Sequence, residues 1–297
     1  MPIVRLTFVF LLALVLGCAK TGLPDLQPPN GPDELTRFYA GVETRLIASG
    51  KMRRDVLPLD APFTNRDLVK NFDRIALFDE YTVVNGRYVQ RESESTLRRW
   101  GKPVRVGLIF GDSVPFDRAA ADKTLVSNFA ARLAKLTGLD MRMSAERDAN
   151  FLVLFLNQSE QKEFAGALSR RYPFIEPAVI DAFRNSPPEI FCVAYAFAHP
   201  SEPAAYAAAI VLVKAEHGPR MRESCIHEEM TQAMGLANDS KNARPSIFND
   251  DEEFALLTRH DEILLHMLYD PRLTPGMTRA DALPFLPTIA AAAAGSS

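Results

Sequence analysis

Apolar positions recur along this chain with two periods. In residues 33–48, Leu35, Phe38, Val42 and Leu46 fall three or four apart, one face of a helix that Asp33 caps and Gly50 ends. Thr64 caps a second helix with the stripe Leu68, Phe72 and Ile75. Residues 120–136 predict a third, with Leu125, Phe129, Leu133 and Leu136 inward and Gly138 as its stop. Residues 161–171 and 178–184 read as helices broken by Pro173 and Pro177, and 223–236 as a further one. Four apolar runs are too short and unbroken for helices: Val104–Phe110, Phe151–Leu156, 191–197 and 207–215. They predict buried strands, the last two as an antiparallel pair. Residues 81–89 form a hairpin about Asn85-Gly86, because both central residues of its turn need positive φ. The sum is an α+β chain with a mixed sheet on a long helix. Each stripe reads first as core packing, and the one tryptophan, Trp100, as a core anchor.

The chain has 297 residues and a net charge of -3, enough for one large globular domain or one domain with a smaller companion. There is no basic stripe, so nucleic acid is not an expected partner. The first residues are different in kind. Arg5 precedes the apolar stretch 6–16, which is the pattern of a secretory signal. Its end, Val15-Leu16-Gly17-Cys18, resembles a bacterial lipobox, which implies that Cys18 carries a lipid and anchors the protein to a membrane. Ala19 and Lys20 stand where an aspartate would signal inner-membrane retention, pointing to the outer membrane. After Cys18 no apolar run is long enough to cross a bilayer. The expected organisation is a signal over 1–18, a proline-rich tether over 19–32, a helical and hairpin extension over 33–100, the main domain over 101–286, and a disordered alanine-rich tail over 287–297. In an oxidising compartment Cys192 and Cys225 are expected to pair, closing a loop worth about 3 kcal/mol in the chain-entropy model. Two buried thiols are the alternative.

The chemistry concentrates in Cys-Ile-His-Glu-Glu-Met-Thr-Gln-Ala-Met-Gly-Leu-Ala-Asn-Asp, from Cys225 to Asp239. Glu228 and Gln232 lie four apart and share a helix face, and Gly235 lets the chain turn back so that Asn238 approaches the same point. With Gly235 on the motif glycine, the segment resembles the H-E-x-x-H-x-x-G-x-x-H helix of metzincin zinc peptidases with its ligands replaced. The resemblance puts Glu228, Gln232 and Asn238 at the ligand positions and Glu229 at the general base. Ser246-Ile247-Phe248 is similar to the metzincin Met-turn, with Phe248 for the methionine, and Asn249 and Asp250 complete a turn below the site. The order Glu228 to Asp239, Ser246 to Asp250 and Leu268 to Leu273 also resembles three motifs of a family of bacterial envelope proteins, the domain of unknown function 2927. The resemblance implies a zincin-like α+β fold with an active-site-type helix and a small C-terminal lobe.

What this constellation does follows from its donors. Zinc takes His nitrogen, Cys sulfur and some carboxylate, whereas Glu228, Gln232 and Asn238 offer only oxygen as ligands. Such a set suits calcium or magnesium if Asp239 and Asp250 add oxygens. The other reading is a hydrogen-bonded cluster of Glu228, Gln232, Asn238 and Asn249 with no metal or other cofactor. His227 precedes Glu228, but Thr231 stands where a second ligand histidine would be, and His199, His217, His260 and His266 lack zinc spacing. The acidic run 249–253 reads as the solvated start of a helix. The expectation is an envelope lipoprotein with a degenerate, non-catalytic cleft that binds a peptide or a partner protein. A metal-dependent hydrolase with Glu229 as base, and a purely structural lipoprotein, are the alternatives.

Overall fold

The computed structural model describes residues 31–249 and 251–295, so the expected signal with Cys18, most of the tether, and Asp250 lie outside the described residues. In chain order the elements are α1 (Pro32–Ala48), α2 (Asn65–Ala76), β1 (Phe78–Val84), β2 (Arg87–Glu94), β3 (Arg99–Trp100), β4 (Val104–Phe110), α3 (Phe116–Thr137), β5 (Met141–Met143), β6 (Phe151–Leu156), α4 (Gln158–Arg171), α5 (Pro177–Arg184), β7 (Cys192–His199), β8 (Glu202–Lys214), α6 (Pro219–Gln232), α7 (Arg259–Leu268), α8 (Arg279–Ala282) and α9 (Leu286–Gly295). Strands β5, β4, β6 and β8 lie side by side and parallel, short β3 pairs with the start of β8, and β7 runs antiparallel along β8. The fold is therefore mixed α+β around a largely parallel sheet. β1 and β2 form a separate hairpin, turned at Asn85 and Gly86 with φ of 51° and 73°.

The two-residue period of a strand builds a core on each face of the sheet. In β6, Phe151, Val153 and Phe155 face the larger core, and Leu152, Leu154 and Leu156 the smaller one under α4 and α5. All six are buried, which is why the run is apolar without a break. The larger core also takes Val42 of α1 and Leu68, Phe72 and Ile75 of α2, so the segment expected as an extension is packed into it. The expected disordered tail is α9, whose Leu286, Ile289 and Ala290 are fully buried against the same core. Its alanine-rich composition left the apolar stripe hard to see. The acidic run 249–253 does not start a helix either: Glu252 has φ 60°, and α7 begins later, where Thr258 and Asp261 form a capping box.

Helix α6 lies beneath β7 and β8, and four contacts fix it. The Cys192–Cys225 disulfide joins it to the start of β7. Arg222, 1% exposed, donates from Nε to Asp122 Oδ1 of α3 at 3.2 Å and from Nη2 to Oδ2, while Nη1 reaches the carbonyls of Lys214 and Ala215 at the end of β8. Trp100 Nε1 donates to the Ala233 carbonyl at 2.8 Å and the Tyr269 hydroxyl to that of Met234 at 2.9 Å, satisfying two carbonyls at the helix end. Gly235 then turns the chain with φ 122°, and a Cβ there would lie 2.3 Å from the Arg98 carbonyl. Below, the Asp261 carboxylate accepts from Ser246 Oγ, the Ile247 N–H and Thr258, which locks the turn carrying Ser246, Ile247 and Phe248 to the cap of α7.

Two expected outcomes follow from this framework, both measured by chemical denaturation. Asp122→Ala leaves a buried guanidinium without its partner and costs about 3–5 kcal/mol. Gly235→Ala combines an unfavourable φ with a backbone clash and costs roughly 2 kcal/mol or more.

Candidate functional site

A cleft of about 1210 Å³ opens between α1, the β1–β2 hairpin, β7 and α6. Its floor carries Glu228, Glu229 and Gln232 from α6, with Asp239 and Glu252 beside them. One wall is the whole run from Phe191 to Phe197, and the facing wall includes Glu80, Tyr81 and Tyr88 of the hairpin. Residues 191–197 fall here because β7 is the outermost strand of the sheet, paired only on its β8 side among the described residues. Cys192, Ala194 and Ala196 point towards the core that holds α6, and Val193 and Phe197 towards the opposite face. The small side chains leave room for the acids below.

Glu228 and Glu229 are neighbours in sequence, yet a carboxylate oxygen of each lies within 4.8 Å of the other. Glu229 is 5% exposed. Its Oε2 is buried with no hydrogen-bond partner, and the nearby Ala194 backbone favours the ionised form only slightly. Burial raises both carboxyls well above the ordinary range, and the charges of Glu252, Asp239 and Glu80 push the same way. Burial also raises the Tyr195 phenol, and the charges of Tyr88, Tyr81 and Glu229 add to this.

The remaining expected site residues are dispersed. Asn238 does not turn towards Glu228: its Nδ2 donates to the Arg74 carbonyl at 2.9 Å and to Glu92 Oε2 at 3.0 Å, and its backbone N–H to the Ile75 carbonyl. Asp239 takes the inward place and accepts from Gln232 Nε2 at 3.3 Å. Asn249 accepts the Asp251 N–H, so the expected Glu228–Gln232–Asn238–Asn249 cluster is not formed by these partners. Ser246, Ile247 and Phe248 are buried and support the floor from below without lining the cleft. His227 is a packing residue: its ring stacks on Phe129, Nδ1 accepts the Leu257 N–H at 3.0 Å, and burial pushes its pKa down to about 3.

The zinc implied by a metzincin resemblance does not fit these residues. No histidine lines the cleft among the described residues, and the Asn238 amide is committed elsewhere. Cys192 lies near the two glutamates, but its sulfur is bonded to Cys225. We derive no step through zinc. Sequence reasoning also missed the hairpin's share of the cleft, because Glu80, Tyr81 and Tyr88 carry no local signal beyond strand alternation.

A raised carboxyl pKa has a definite sign in stability. Between the unfolded value of roughly 4.3 and the raised folded value, the folded protein holds more protons, so stability is greatest below that window and falls as pH rises through it. Glu229→Gln removes much of that loss. Its melting temperature is expected to match the parent near about pH 4 and exceed it by roughly 2–4 °C near about pH 8, a gain of about 1 kcal/mol. Taking the difference between variant and parent in a thermal scan across pH cancels the opposite contribution of Asp60, whose carboxyl Arg53 and Arg244 hold low.

Comparison with curated proteins finds no match. A family model described as protein of unknown function (DUF2927) matches residues 65–288, from α2 into α9, and takes in the helix, the turn and the cleft wall just described. Spanning well over half of the sequence, that match places this chain in the DUF2927 family.

Proposed function

We propose that this protein is a cell-envelope lipoprotein whose degenerate, metallopeptidase-like domain binds an extended peptide segment without cleaving it. The observation that carries this reading is the outer edge of β7 running along the cleft. β7 pairs with β8 on one side only among the described residues, so alternate N–H and C=O groups along its other side face the cleft. An extended peptide adds to such an edge as a further strand, with backbone bonds supplying affinity and side-chain pockets supplying choice. The cleft exceeds the roughly 300–1,000 Å³ usual for small-molecule sites, which favours a chain segment over a metabolite. The zincin-like reading draws support from the antiparallel edge strand beside the Glu228–Glu229 helix and from the Ser246 turn held below it. The non-catalytic reading draws support from the scattered donor set. The envelope reading rests on the sequence ending at Cys18. Among the described residues no helix is long and apolar enough to cross a membrane.

Two measurements test the proposal. Full-length protein in detergent is incubated with a pool of labelled decapeptides, and retained and released peptides are read by mass spectrometry. Retention of intact peptides, weakened by Ala196→Arg at the strand edge, is the expected result. Cleavage that disappears in Glu229→Gln would establish a hydrolase instead, and neither retention nor cleavage would leave a structural lipoprotein. In cells, Cys18→Ala is expected to abolish incorporation of an alkyne-tagged fatty acid and to release the protein from the membrane fraction. Unchanged labelling would remove the lipid anchor from the proposal.

A further inference from the structure

We propose that the cleft selects for a cationic side chain: a lysine or arginine of the bound segment, seated on the Glu228 and Glu229 carboxylates. This rests on the peptide reading above and specifies what the peptide must carry.

The first ground is an unsatisfied acceptor. Glu229 is almost wholly buried and its Oε2 has no partner. A buried carboxylate oxygen left without a donor is costly, and an ammonium or guanidinium hydrogen removes that cost. With the Glu228 carboxylate within 4.8 Å, the pair presents oxygens to more than one N–H, which suits a group with three or five donors.

The second ground is charge. Nine acidic residues line the cleft against three basic ones, Arg45, Lys51 and Arg98. Arg98 is already paired with Asp79 and Lys51 with Asp251, and Glu228 and Glu229 are among the remaining acids that line the floor. An anionic ligand is disfavoured by this field, and a neutral one leaves it uncompensated.

The third ground is the wall. Tyr81 and Tyr88 stack with ring centroids 5.1 Å apart, and Tyr195 lies 5.9 Å from Tyr88. All three rings line the cleft that holds the two carboxyls, with Tyr195 on the sheet face opposite α6. Register agrees with this. Ala194 points to the side of the sheet that holds α6, so a strand residue paired opposite it projects its side chain the same way, onto Glu228 and Glu229. Two carboxylates fall short of the six or more oxygens that calcium takes, which ranks a metal ion below an organic cation as the occupant.

The test is fluorescence anisotropy with full-length protein in detergent and labelled decapeptides that differ only at one central position: lysine, the uncharged isostere norleucine, or glutamate. The lysine peptide is expected to bind on the order of tenfold more tightly than the norleucine peptide, and the glutamate peptide more weakly than either. In the doubly substituted protein, Glu228→Gln with Glu229→Gln, the lysine advantage disappears while the norleucine affinity stays. Equal binding of lysine and norleucine peptides overturns the cation pocket and leaves the peptide reading standing. Failure of all three peptides to bind overturns both. Stoichiometric calcium binding that is lost in the double variant and displaces the lysine peptide also overturns the inference, by giving the carboxylates to a metal.

Discussion

The pairing of Arg222 with Asp122 is the constraint on which the site depends. Arg222 sits on α6, Asp122 on α3, and the remaining guanidinium hydrogens cap the carbonyls where β8 ends. Helix, helix and sheet therefore meet at one charged group with no route to water. Such a pair adds little net stability, because desolvating two charges costs about what their attraction returns. In this arrangement the guanidinium ties α6 at once to α3 and to the end of β8. The disulfide from Cys225 to Cys192, one turn along the same helix, adds a covalent tie to β7. About one turn beyond these fastenings, Glu228 and Glu229 lie on the floor of the cleft beside β7.

That placement sets a buried and a half-buried carboxyl side by side. Their cost is a penalty on the ionised state, raised further by the acids around the cleft, and it is met by structure elsewhere. The core above and below is continuous: Phe151, Val153 and Phe155 on the sheet, Met230, Ala233 and Met234 on α6, and Phe248 beneath. The same volume filled by apolar side chains would cost no such penalty, so the two carboxyls are not there for stability.

The comparison with a peptidase centre turns on a one-residue choice. After Gly235 either Asn238 or Asp239 can face Glu228, and the helix pattern alone does not decide between them. The carbonyls of Arg74 and Ile75 at the end of α2, with Glu92 of β2, take the Asn238 backbone and amide, and this rotates Asp239 inward. Elements outside the motif thus bring an acidic side chain, and not an amide, to the floor of the cleft.

The sequence by itself determined the elements and the family. Period-two and period-3.6 patterns located the buried strands, the long helix α3 and the hairpin at Asn85-Gly86, since those patterns report which side of an element is dry. The spacing of Glu228, Gln232 and Gly235 marked the helix and its turn, and the three motifs marked DUF2927. Tertiary structure decided the rest. That α9 is a packed helix follows from a buried stripe of Leu286, Ile289 and Ala290, which an alanine-rich composition does not distinguish from a frayed tail. That Asp239 rather than Asn238 faces the glutamates, that Glu80 and Tyr88 close the cleft, and that His227 packs on Phe129 depend on partners far away in the chain. Local pattern records the period of burial. It does not record which distant backbone carbonyl or ring will claim a given polar side chain, and that claim is what sets the chemistry of this site.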